Sequence, residues 1–119
     1  MSKYYIENES GITIVHFDSD PTYNEIIEML DYLSENNLYI KRLFDFSKVK
    51  FKLTTDQIKS MAEYGKKIFT QKNKGAVLSN IDLVFGESRQ FSVYREDEVC
   101  LFNTFRNKKD AIDWLLNDL

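Results

Sequence analysis

His16 and Cys100 are the single histidine and single cysteine of this sequence, and they are the side chains best suited to moving protons or forming covalent bonds near neutral pH. His16 lies in the run Ile12-Thr13-Ile14-Val15-His16-Phe17, on the same alternating face as Ile12 and Ile14. A zinc site needs three or four nitrogen or sulfur donors, and no second imidazole or neighbouring cysteine joins this one. An all-carboxylate site for a hard cation is the metal chemistry left open. The expected role of His16 is a hydrogen-bonded structural one. Cys100 sits in the apolar run Val99-Cys100-Leu101-Phe102, where cysteine behaves as a small buried hydrophobe. To act as a nucleophile it needs an activating base, and the histidine is far away in the chain. One cysteine also excludes an internal disulfide, in keeping with a reducing compartment.

The remaining chemistry-bearing groups are equally sparse. Asp18 with Asp20, and Glu96-Asp97-Glu98, fall in expected loops, where acidic side chains are ordinarily hydrated rather than paired for general acid–base work. The four glycines, at 11, 65, 75 and 86, are too far apart for a phosphate-cradling loop or a dinucleotide fingerprint. Lys66, Lys67, Lys72 and Lys74, with Phe69 among them, form a weak basic and aromatic patch, which complementarity to a helix C-terminus explains without any ligand. With a pI near 5.2, dedicated nucleic-acid binding is not expected. The sequence therefore leads us to expect no catalytic residues, no metal ligands and no cofactor.

The elements that must position these groups are legible along the chain. Tyr4-Tyr5-Ile6 and Gly11 to Phe17 read as a β-hairpin around Asn8-Glu9-Ser10-Gly11. Pro21 and the capping-box pattern Thr22-x-x-Glu25 open a helix with Tyr23, Ile26, Ile27, Leu30 and Leu33 at helical spacing, closed by Asn36-Asn37. Residues 39–46 form a strand. Thr54-x-x-Gln57 caps a second helix, whose stripe is Ile58, Met61, Ala62, Gly65, Ile68 and Phe69. A short strand at 75–79 precedes a helix from Ile81 to Arg95, weakened by Gly86. A last strand at 99–105 leads to a helix capped by Asn107, with Ala111, Ile112 and Leu115 turned to the core. The order ββαβαβαβα predicts an α/β domain: a mixed, mostly parallel five-stranded sheet with four helices and right-handed crossovers, in a single domain over residues 1–119.

The 119 residues carry a net charge of −3, unevenly spread. Residues 1–37 hold eight acidic and one basic side chain, residues 38–74 three and ten, and residues 75–119 eight and five. The basic middle third suits an anionic partner or an acidic face of a second copy, although solvated charges are its ordinary reading. No apolar run is long enough to span a bilayer, and the start Met1-Ser2-Lys3-Tyr4 lacks the apolar core of a signal peptide. The expectation is a cytoplasmic protein without a transmembrane segment.

Over nearly its whole length the pattern resembles the SpoIIAA-like group with the STAS fold (sulfate transporter and anti-sigma-factor antagonist), an architecture also compared with CRAL-TRIO lipid-binding domains. The resemblance is carried by the element order, by Leu43-Phe44-Asp45-Phe46-Ser47 ahead of a threonine-capped helix, and by Gly86-x-x-Arg89. Its most specific part is Phe105-Arg106, then four residues, then Ala111-Ile112-Asp113-Trp114-Leu115. In the phospho-regulated members a serine at the start of the helix after the central strand is phosphorylated, usually within Asp-Ser-Ser-Gly. The equivalent stretch here is Leu53-Thr54-Thr55-Asp56, which keeps the hydroxyls but lacks the preceding acid and the following glycine.

The functional expectation is a non-enzymatic binding or regulatory domain that mediates protein interaction, with a protein partner or homodimer contacting Thr54, Thr55, Asp45 and Ser47. The alternative is a carrier of a small apolar or lipid-like ligand, in a pocket framed by Phe85, Arg89, Phe91 and Tyr94 around Gly86. An unrecognised enzyme, with only Arg89, Tyr94 and Arg95 as polar groups beside that pocket, ranks last.

Overall fold

The computed structural model describes residues 4–36 and 39–117. Strands β1 (Tyr4–Glu9), β2 (Ile12–Phe17), β3 (Lys41–Asp45), β4 (Asn73–Leu78) and β5 (Cys100–Phe105) form one sheet in sequential order. The β1–β2 pair is antiparallel and the other three pairs are parallel. Helices α1 (Tyr23–Glu35), α2 (Thr55–Ile68), α3 (Asp82–Arg95) and α4 (Lys108–Leu116) complete the expected alternation. Among the described residues, no helix is long and apolar enough to cross a membrane.

Local chemistry explains the element ends. Thr22 and Thr54 both form complete capping boxes, each hydroxyl accepting from the backbone N–H three residues on while Glu25 or Gln57 reaches back. Asn107 caps α4, accepting from the Asp110 N–H. The hairpin is tighter than the loop expected over residues 8–11. β1 continues through Glu9, and Ser10 and Gly11 alone make the turn, with φ of 54° and 79° that match the strand twist. Asn36 ends α1, while Asn37, read as part of that stop signal, lies outside the described residues.

Two cores flank the sheet. Helices α1, α2 and α3 cover one face, packing Met29, Leu33, Met61 and Val84 against Val15, Phe44, Val77 and Phe102. Sequential strand order with three helices on one face gives the three crossovers a single hand. Helix α4 alone covers the opposite face, with Ala111 and Leu115 on Ile14, Leu43 and Ala76. Strand β4, buried at all six positions, separates the two cores.

Strand β4 starts two residues earlier than expected, which withdraws Lys74 from the expected basic patch. Its side chain enters the α4 core, lies 4.5 Å from the Trp114 ring centroid and donates to the Trp114 carbonyl at 2.7 Å. An ammonium at the carbonyl end of a helix is favourable, but the helix concerned is α4 rather than α2. Lys66 and Lys67 do occupy the last turn of α2.

Candidate ligand cavity

Alternation along the strands sends Arg42 of β3, Gly75 of β4 and Phe102 of β5 to the face beneath α1–α3, in one cross-strand row. A Cβ on Gly75 would stand 2.6 Å from two carbons of the Phe102 ring, so the missing side chain lets that ring lie across β4. Phe91 of α3 meets Phe102 edge-on at 4.8 Å, and Phe44 stacks alongside at 6.3 Å. Between these rings and the helices lies a cavity of about 70 Å³. That is several times the 10–15 Å³ or so that one water requires. Its wall is mostly apolar side chain, including Met29, Met61 and Phe69.

The polar groups on this wall are segregated. Near the start of α2, the Glu87 carboxylate accepts from the Leu53 N–H at 2.9 Å. Burial raises its pKa, against the opposing pull of that N–H and of Lys52. Near the C-terminus of α2 lie two buried arginines, Arg42 at 8% exposure and Arg95 at 2%. Arg95 Nη2 points to the carbonyls of Gly65 and Phe69 at 3.4 and 3.5 Å, and its Nη1 lies 3.4 Å from Asp97 Oδ2. Gly65 makes room for it, since a Cβ there would stand 3.0 Å from Arg95 Nε. Arg42 rests its guanidinium 4.0 Å above the Phe69 ring. Burial brings its pKa down to about 10, so it stays charged at neutral pH. Cys100 also lines the wall, and burial pushes its thiol up, away from the reactive thiolate.

Of the four residues expected to frame a pocket, the structure brings Phe91 alone to this cavity. Phe85 packs beneath the Arg106 guanidinium at 4.1 Å, and Tyr94 lies beneath the Lys59 ammonium at 5.4 Å. Arg89 faces an open groove outside α3, beside Val93, Leu101 and Trp114. The inward face of α3 is instead Val84, Glu87, Ser88, Phe91 and Arg95. Sequence reasoning passed over Arg42 and Glu87. Their signal was positional: Arg42 shares the alternating face of Phe44 and Phe46, and Glu87 stands one turn from Val84.

His16 and Asp45 lie on the other side of the sheet, away from the cavity. His16 stacks on Tyr5 at 4.6 Å, with Nε2 at 2.7 Å from Glu7 Oε1 and Nδ1 at 3.0 Å from Asp45 Oδ2. Ser47 donates to Asp45 Oδ1 through its hydroxyl at 2.5 Å and its N–H at 2.9 Å. Both imidazole nitrogens are thus engaged by carboxylates and neither activates a hydroxyl, so the cluster laces β1, β2 and β3 together. Among the described residues, no group of three or more His, Cys, Asp and Glu converges as a metal site. Thr54 and Thr55 are exposed at the start of α2, with the Thr54 hydroxyl occupied in its cap.

Comparison of the chain with protein-family models, with curated proteins and with solved structures returns no match.

Proposed function

We propose that this protein is a non-enzymatic binding module of the cytoplasm that holds a small apolar, lipid-like molecule between its sheet and helices α1–α3. The observation that carries the reading is the apolar cavity of about 70 Å³ in the middle of the larger core. Interiors are normally packed to crystal-like density, and leaving a space of this size unfilled costs stability. An apolar pocket that keeps a few polar groups on its wall is the default candidate for a ligand site. The chemistry of the wall supports binding over catalysis: the thiol is neutral, the carboxylate is tied to a backbone N–H, and the histidine is on the far side of the sheet.

Native mass spectrometry of the purified chain at low collision energy tests this reading. The expected result is a population heavier than the bare chain by the mass of one small molecule, lost on raising the collision energy. Only the bare mass, in protein purified without organic solvent, would count against it.

A second reading, regulation by a protein partner at the start of α2, is favoured by the exposure of Thr54 and Thr55 and by the resemblance to phospho-regulated STAS proteins. Phosphate on either hydroxyl would meet the free N–H groups of the helix start. Pairing of two copies is favoured by the exposed Val93 and Leu101 beside the β5 edge, and the same native spectra report subunit number.

A further inference from the structure

Arg42 is short of a partner. It reaches the cavity wall from β3, and its Nε is buried with no hydrogen-bond acceptor among the described residues. Asp97 and two helix-end carbonyls engage Arg95 but make no bond to Arg42. Among the described residues the one carboxylate on the wall, Glu87, is held near the start of α2 by the Leu53 N–H. The cavity is therefore polarised, with two guanidinium groups at one end, no acid facing Arg42 among the described residues, and aromatic and methionine side chains between. Burying a charged donor without an acceptor is costly, and folded proteins avoid it unless something else completes the bond.

From this we infer that the ligand is a small amphipathic carboxylate, whose head group accepts from Arg42 and whose apolar part lies among Phe44, Phe91 and Phe102. The inference rests on the cavity being a binding site. A carboxylate fits because it is planar, singly charged and matched to the guanidinium fork. Arg95, already engaged, adds positive potential without being consumed. The modest volume selects a short or compact apolar tail.

The sequence supplies its own probe, because Met29 and Met61 both line the cavity and the third methionine is Met1. Protein carrying ¹³C-methyl methionine is titrated with hexanoate and, separately, with hexan-1-ol, following the Met29 and Met61 methyl signals. Hexanoate is expected to shift both and to bind at least about tenfold more tightly than the alcohol, as a charge-assisted hydrogen bond implies. Arg42→Leu should abolish the preference, bringing hexanoate and hexan-1-ol to similar affinities, and Arg42→Lys should keep part of it. If acid and alcohol titrate alike in the unaltered protein, the carboxylate inference falls and the apolar cavity reading stands. If neither moves the methyl signals, both fall.

Discussion

His16 Nδ1 lies 3.0 Å from Asp45 Oδ2, a bond that crosses from β2 to its parallel neighbour β3 on the face beyond the reach of the cavity. Burial acts to raise the Asp45 pKa, but the Ser47 hydroxyl and N–H, followed by His16, outweigh it and hold the carboxyl below its ordinary value. A carboxyl depressed on folding adds stability above its unfolded pKa of about 3.9, and that stability is lost as pH falls through the lower folded value. Asp45→Asn should therefore be less stable than the unaltered protein by about 1–2 kcal/mol at pH 6, with the difference shrinking below about pH 4. Urea unfolding followed by Trp114 fluorescence over a pH series checks this, and a gap that stays constant into acid would contradict it.

Glu87 has the opposite sign. Burial raises its pKa, so its contribution is fully present below the unfolded value of about 4.3 and is lost as pH rises through the folded value. Glu87→Gln removes the charge yet keeps an oxygen for the Leu53 N–H. The variant should gain about 0.5–1 kcal/mol at pH 7 and lose the decline in stability above about pH 4.5. A less stable variant at pH 7 would show that the ionised carboxylate is required.

Gly75 is placed under the Phe102 ring, and an added methyl would overlap it. Gly75→Ala should cost about 1–3 kcal/mol through displacement of the ring, and should reduce the cavity that the ring borders. Denaturant midpoints give the first effect and methionine-methyl titration the second. An unchanged midpoint would mean that Phe102 yields without strain.

Arg42 should be a residue that the fold tolerates rather than needs. Replacing a buried charge that lacks a hydrogen-bond acceptor at Nε by an apolar group removes its desolvation penalty, against the loss of the stacking on Phe69. Arg42→Leu is expected to be as stable as the unaltered protein or more stable by up to about 3 kcal/mol. A large loss of stability would assign Arg42 to structure alone.

The start of α2 separates a structural from a regulatory role. Thr54 holds the capping box, so Thr54→Ala should cost about 1 kcal/mol, whereas Thr55→Ala should stay within about 0.5 kcal/mol. If a partner recovered in pull-downs is lost with Thr54→Glu or Thr55→Glu while thermal stability is kept, the regulatory reading gains support. Partner binding indifferent to both would remove it.

The sequence alone determined the order and kind of the elements, because the signals for them are local. Alternating β-branched residues mark the strands, a threonine three residues ahead of Glu25 or Gln57 marks two helix starts, and the regular stripe from Ile58 onward shows which way α2 must turn. Tertiary structure decided what the buried charges do. Helix α3 has polar and apolar residues on every side, so its sequence favours no face, and only packing on α2 and β5 turns Glu87, Ser88 and Arg95 inward while leaving Phe85, Arg89 and Tyr94 elsewhere. Lys74 and Arg95 find partners at the carbonyl ends of helices far along the chain, and Arg42 finds no acceptor for its Nε among the described residues. Whether a charge can be buried depends on acceptors supplied by distant segments, and those distances exist only once the sheet has set its register.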